Sequence, residues 1–180
     1  MTRIRDAIAD DAAAIGAIWN PVIRDTVITF WPVERSEAEI AGLIRSRQAD
    51  GHGFFVAEDA GGNVIAFASY SQFRSGIGYS KSMEHTVYVA TDQRKTGIAR
   101  DLMAHLEDHA RNAGARLMIG AITATNDTSV RFHARLGYQD QGRIPAAGWK
   151  FGAFHDLVLM VKDLSPPSDA SVLSEGHLSG

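Results

Sequence analysis

The chain has 180 residues, a formal net charge of -3 and no cysteine. That length suits one domain with a sizeable core, and the mild acidity argues against a bulk nucleic-acid partner. The lack of cysteine excludes disulfides, thiolate metal sites and an acyl-cysteine intermediate.

Residues 2–5 read as a short strand. Asp10 or Asp11 caps a helix whose apolar face is Ala14, Ile15, Ile18 and Trp19, and Pro21 is expected to end or kink it. Residues 27–31 are an apolar connector, open to two readings, a core segment or a pocket wall. Ser36-Glu37-Ala38-Glu39 is a capping box for a second helix with Ile40, Leu43 and Ile44 on its buried face. Two apolar runs, 54–58 and 64–71, flank Asp59-Ala60-Gly61-Gly62-Asn63 and predict an antiparallel hairpin. Residues 73–81, rich in Gly and Ser, form a loop. Residues 83–89 alternate as a strand, with Glu84, Thr86 and Tyr88 on one face.

Arg94-Lys95-Thr96-Gly97-Ile98-Ala99 follows that strand and opens a helix. Gly97 lets another molecule approach the backbone. The first turn of a helix offers unpaired N–H groups and the positive end of its dipole, a site suited to a diphosphate. Arg94 and Lys95 add positive charge there. Ile98, Ala99, Leu102, Met103, Leu106, Ala110 and Ala113 follow at helical spacing, and Gly114 stops the run. Residues 117–122 form a continuously apolar strand, which implies a parallel β-α-β unit. Asp127 or Thr128 caps a further helix that ends at Gly137. Residues 138–143 and 155–161 close the sheet, with Ala146-Ala147-Gly148 between them.

Strand, R-x-x-G-x-A helix, strand, N-x-x-S helix and L-G-Y, in that order, resemble the GNAT family of acetyl-CoA-dependent N-acetyltransferases over residues 2–164. A closer likeness is to its phosphinothricin/methionine sulfoximine acetyltransferase branch. It is carried by Ile18-Trp19-Asn20-Pro21, Val27-Ile28-Thr29-Phe30, Glu84-His85-Thr86-Val87-Tyr88-Val89, Ser129-Val130-Arg131-Phe132-His133, Ala147-Gly148-Trp149-Lys150-Phe151-Gly152 and His155-Asp156. The resemblance implies an α/β (α+β) GNAT fold. Such a fold has a mixed central sheet of about six to seven strands, helices on both faces and a splayed parallel strand pair. Residues 1–164 would form the domain and 165–180 a mobile tail without chemistry.

Acetyl-CoA would be the co-substrate, with no metal, and a small-molecule amine the acceptor. The splayed strand edge would offer the backbone of Val87, Tyr88 and Val89 to the amide-bearing arm of coenzyme A. Arg94, Lys95, Thr96, Gly97, Ile98 and Ala99 would take its diphosphate, while Asn126 and Ser129 either contact the coenzyme or simply cap their helix. Among catalytic candidates, Glu84 would be the base, or only an exposed strand glutamate or a ligand of the ammonium; His133 would be its rival, or a packed or solvent-facing histidine; and Tyr138 the acid toward the departing thiolate, or merely a core aromatic. The oxyanion would lie against the N–H of Val87 or Tyr88. Phe30, Arg74, Tyr79, Glu84 and Lys150 would bind the acceptor, Arg74 clamping a carboxylate.

The reaction expected is direct transfer in a ternary complex to the α-amine of phosphinothricin, methionine sulfoximine or methionine sulfone. A protein N-terminus, a lysine or another metabolite amine is the alternative acceptor, and a non-catalytic acyl-CoA-binding module a third reading. The family likeness also implies a homodimer, with which Trp149, Phe151 and Phe154 are consistent, though they could equally be core. Arg3, Arg5 and Asp6 precede no apolar run of the signal-peptide kind and no stretch is long enough to span a bilayer, so a cytoplasmic home without membrane contact is expected. His105 and His109 share a helix face at i,i+4, yet without a third ligand they read as surface residues.

Overall fold

The computed structural model describes residues 2–94 and 96–165. Lys95 and the tail from residue 166 onward, both assigned above, lie outside the described residues. The strands are β1 (Arg3–Asp6), β2 (Phe54–Glu58), β3 (Val64–Gln72), β4 (Ser82–Val89), β5 (Leu117–Thr123), β6 (Gln139–Lys150) and β7 (Ala153–Asp163). The helices are α1 (Ala12–Asp25), α2 (Glu37–Ala49), α3 (Ile98–Asn112) and α4 (Asp127–Arg135). The strands form one sheet in the order β1-β2-β3-β4-β5-β7-β6, with β4 and β5 parallel and every other neighbour pair antiparallel.

Helices cover both faces, which explains why β2 is a continuous apolar run rather than an alternating one. Phe54 and Val56 turn to one side, where they meet Ile15, Trp19 and Ile23 of α1 and Ile40 and Ile44 of α2. Phe55 and Ala57 turn to the other, against Ile98, Leu102, Met103, Leu106 and Ala110 of α3. The boundaries of these helices have local causes. Ser36 and Glu39 satisfy each other's backbone N–H groups at the start of α2. At the end of α3, Gly114 takes φ +83. Its N–H bonds the Arg111 carbonyl and the N–H of Ala115 bonds that of Ala110, the 5→2 and 6→1 pair of a Schellman stop.

Three local expectations are corrected. Pro21 does not end α1, since the helix runs on to Asp25, and only the kink reading is left open. The proline ring removes one N–H, while Trp19, Val22 and Ile23 bury on the same helix and hold it to the sheet. Asn126, not Asp127 or Thr128, caps α4, its side-chain oxygen accepting from the Ser129 N–H at 3.2 Å. Ala146-Ala147-Gly148 is not a connection but a bulged part of β6, where the register slips between Ile144 and Gly148. There Ala146 adopts φ 52, and its N–H donates to Asp156 Oδ1 at 2.9 Å.

One irregularity opens the centre of the sheet. β4 and β5 pair only at Ser82–Leu117, Met83–Met118 and Glu84–Ile119, although both strands continue beyond. The antiparallel side of β4 tells which backbone groups this leaves free. The N–H of Ala90 bonds Ile65 O and that of Phe73 bonds Ser82 O, so Ser82, Glu84, Thr86, Tyr88 and Ala90 turn their backbone polar groups to β3. His85, Val87 and Val89 turn theirs to β5, across the gap.

Candidate active site

A cavity of about 460 Å³ occupies the splay. It passes through the sheet plane, because adjacent residues of β4 point to opposite faces and Glu84, His85, Thr86, Val87 and Tyr88 all line it. One face is closed by Ile28, Thr29, Phe30, Phe73 and Arg74. Gly120–Thr123 of β5, Ile144 of β6 and Leu157 and Leu159 of β7 form the far side. Asn126, Ser129 and His133 bring in α4.

The wall formed by residues 28–30 is built in from several directions. Thr123 Oγ1 donates to Val27 O at 2.6 Å, tying the connector to β5. Asn20 clips the backbone of Arg35, its Nδ2 donating to the carbonyl and its Oδ1 accepting from the N–H, each at 2.9 Å. Lys150 reaches back from β6 to donate to Ile23 O at 2.6 Å and Thr29 O at 2.8 Å. With the chain so held, the Phe30 ring stacks on His155 at 6.0 Å and lies flat against Gly148.

Glu84 sits half-buried at the mouth of the splay, and burial raises its carboxyl above the usual range while the charge of Arg47 on α2 opposes that rise. A carboxylate so placed can hold an ammonium group or take a proton from it. Arg74 is exposed beside Phe73 and lines the same cavity, to which it brings a positive charge.

Two backbone features lie where the coenzyme is expected. The N–H groups of Val87 and Val89 are offered to the gap, whereas that of Tyr88 is turned to β3, which removes Tyr88 from the pair of expected oxyanion donors. Further along, Gly97 caps α3 at φ 89, in the left-handed region. The intrahelical bonds of α3 begin with the N–H groups of Arg100 and Asp101 on Gly97 O, so those of Gly97, Ile98 and Ala99 face outward. Arg94 and Thr96 are exposed at this end, Ile98 buries its side chain in the core, and Ala99 is half-buried. None of Val89, Arg94, Thr96, Gly97, Ile98 or Ala99 lines the 460 Å³ cavity; they continue from the end of β4 as a separate rim.

Of the residues expected at the site, the cavity gathers Phe30, Arg74, Glu84, Val87, Tyr88, Asn126, Ser129 and His133. It does not gather Tyr79, Lys150 or Tyr138. Tyr79 is exposed in the loop before β4. Lys150, 3% exposed, is consumed in the carbonyl contacts just described. Tyr138 points its hydroxyl inward to donate to Glu107 Oε1 at 3.0 Å, and Glu107 is also paired with Lys162. Burial, and then the charge and hydrogen bond of Glu107, drive the phenol well above its ordinary range, so it is a poor proton donor. Tyr138→Phe is therefore expected to lower unfolding stability by about 1–2 kcal/mol in a denaturant titration, with Glu107 keeping its lysine. A loss of activity as large as that of a cavity residue would contradict this placement.

Sequence reasoning missed His85, Gly120 and Gly148 as site residues. A glycine inside the apolar run of β5 was the usable signal for Gly120, since a strand glycine often marks a close approach. A Cβ there would come within 3.1 Å of His85 Nε2. The neighbouring histidines noted above serve elsewhere: His109 Nδ1 lies 2.8 Å from the Tyr70 hydroxyl, and His105 packs edge-on to Phe55. His155 accompanies Phe30, while Asp156 braces the β6 bulge.

Comparison with known proteins matches residues 20–138 to the acetyltransferase (GNAT) family model. An L-methionine sulfoximine/L-methionine sulfone acetyltransferase of Pseudomonas paraeruginosa is 37% identical over 170 residues, covering 93% of this chain and 97% of its own. A phosphinothricin N-acetyltransferase of Streptomyces viridochromogenes is 31% identical over 166 residues, 92% of this chain and 89% of its own. Among solved structures, an acetyltransferase of Salmonella typhimurium with its cofactor acetyl-CoA superposes with a TM-score of 0.88 at 31% identity, covering 92% of this chain and 95% of that one.

Proposed function

The chain belongs to the acetyltransferase (GNAT) family and is an acyltransferase, and on that premise we propose that it acetylates the α-amine of a small amino acid of the methionine sulfoximine, methionine sulfone or phosphinothricin type. The observation that carries this reading is the through-sheet cavity, which sets Glu84, Phe30 and Arg74 on one side and the open edge of β4 on the other. Acetyl-CoA, when bound, supplies the acetyl group as a thioester. The free N–H groups at the start of α3 suit its diphosphate and those of Val87 and Val89 its amide-bearing arm, with Asn126 alongside. Lys95, outside the described residues, would add charge at the α3 end.

On the acceptor side, Arg74 pairs with the carboxylate of the amino acid, and Phe30, Phe73 and Ile144 line the space for its side chain. Glu84 takes the proton from the ammonium, directly or through water, and frees the nitrogen lone pair for attack. The Val87 N–H stabilises the oxyanion. Transfer runs directly in a ternary complex, with no cysteine to carry an acyl group: the amine nitrogen bonds the acetyl carbon, the thioester C–S bond breaks, and coenzyme A leaves as a thiolate that takes a proton from solvent. The exposed Trp149, Phe151 and Phe154 at the β6–β7 tip support a homodimer, which sedimentation equilibrium would test. The reaction belongs in the cytoplasm, where acetyl-CoA is available. Among the described residues no helix is long and apolar enough to cross a membrane.

The test is release of the coenzyme thiol with acetyl-CoA and a panel of amines. Turnover with methionine sulfoximine, methionine sulfone or phosphinothricin, and little with peptides, is the expected result. Turnover confined to peptide N-termini or lysines would replace this reading with the protein-directed one. Silence with every amine would remove it.

A further inference from the structure

One element of the cavity has no part in the reaction as drawn. His85 and His133, 8% and 3% exposed, both line it. Their rings stack at 5.0 Å and their Nε2 atoms lie 3.2 Å apart. Such a contact needs one hydrogen between the two nitrogens. The other nitrogen of His133 decides which ring supplies it. Nδ1 is 2.7 Å from the Ser129 carbonyl oxygen, which can only accept, so Nδ1 carries a hydrogen. In the neutral ring Nε2 is then the acceptor, and His85 donates to it. His85 Nδ1 is left with a lone pair and no partner among the described residues.

Both nitrogens of His133 are thus engaged, which leaves no lone pair for an incoming ammonium. The bond also runs where the sheet does not. β4 and β5 stop pairing at Glu84–Ile119, and the histidines pass from the next residue of β4 over Gly120 of β5 to α4. A Cβ on Gly120 would lie 3.1 Å from His85 Nε2 and 3.3 Å from His133 Cδ2, so the glycine keeps the path clear. The far end, His133 in the last turn of α4, bonds back to the Ser129 carbonyl in the first turn, where Asn126 and Ser129 lie at the cavity.

We propose that His85 and His133 are positioning residues. They form a neutral strap that holds the N-terminal turn of α4 at a set distance from the open edge of β4, and His133 is not the base. Burial supports this by holding the His85 ring near pKa 3 and lowering that of His133. Tyr138, whose ring edge packs on both, has its hydroxyl committed to Glu107. The strap rests on the acetyl-transfer reading only for the identity of the ligand it serves.

The experiment compares wild type with His85→Leu, which removes the donor, and His85→Gln, whose amide can offer an N–H to His133. Acetyl-CoA affinity is read by calorimetry, ring tautomers by 15N-histidine NMR, and turnover as a pH profile. His85→Leu is expected to weaken acetyl-CoA binding about tenfold and His85→Gln to recover most of it, as for one hydrogen bond. The acid limb of the turnover profile is expected to stay in place in both. His133 of the wild type is expected as the Nδ1–H tautomer. Glutamine binding acetyl-CoA as weakly as leucine, an Nε2–H tautomer at His133, or loss of the acid limb with affinity intact would each overturn the strap. Should no amine be turned over, the acetyl-transfer reading fails, while affinity and tautomers still decide the strap. The tautomer measurement needs no variant to fold.

Discussion

Glu84→Gln is expected to lower kcat/KM for the acceptor by about 10²- to 10⁴-fold, the usual worth of a positioned general base. Glutamine keeps the size of the side chain and its place at the mouth of the splay but has no basic oxygen to receive the proton. The pH profile makes the assignment specific. Burial raises the Glu84 carboxyl, with Arg47 opposing, and only the ionised form is a base. The rate should therefore climb as pH rises through a midpoint above the usual carboxylate range. Arg47→Met, which removes the opposing charge, should shift that midpoint to higher pH. A profile measured in Glu84→Gln should lack the limb. Activity in Glu84→Gln within about fivefold of wild type would end the claim that this carboxylate is the base.

Gly148→Ala is expected to raise the acceptor KM about tenfold and to cost about 1–3 kcal/mol of stability, the range for overfilling a packed site. The added Cβ would fall 2.2–2.4 Å from Cδ2, Cε2 and Cγ of the Phe30 ring. Neither side can yield by moving its backbone. Lys150 bonds the Thr29 carbonyl, Thr123 bonds that of Val27, and Gly148 is paired with His155 across the hairpin. The ring must turn instead, away from its stack on His155 and out of the acceptor wall. Phe30→Ala in the same background should restore most of the lost stability, because the clash and its relief share one contact. Thermal unfolding and acceptor kinetics read both effects. A wild-type melting point and KM in Gly148→Ala would show that the ring does not form that wall.

Local chemistry made much of this fold legible before the structure. The Ser36–Glu39 capping box, the glycine-bearing turn after Asp59 and the stop at Gly114 each act within a few residues, and the structure has them where the sequence implied. The parallel pairing could be inferred from the order of β4, α3 and β5, while the splay and the role of Glu84 came only with the family resemblance. What escaped were bonds between residues distant in the chain. Tyr138 was open between acid and core aromatic, and nothing nearby in sequence announces the partner of its hydroxyl, Glu107, 31 positions away. Lys150 looked like a substrate ligand, yet its partner Ile23 is 127 positions away. The bulge that absorbs residues 145–147 into β6 depends on Asp156 of the opposite strand. The His85–His133 bond joins two elements 48 positions apart, and neither residue carries a local sign of the other.

The short register between β4 and β5 also has a mechanical meaning. Only three residue pairs stitch β1–β2–β3–β4 to β5–β7–β6, so the sheet is two plates with a narrow hinge at one end of their seam. Amide exchange should follow that division, with the free-edge N–H groups of Val87 and Val89 trading hydrogen readily while the interior of β3 resists. A molecule lying in the seam and bonded to both plates would act as an added strand without a chain connection. Its binding would slow exchange on β4 and on the first turn of α4 together, and would raise the melting temperature in proportion to the logarithm of its concentration.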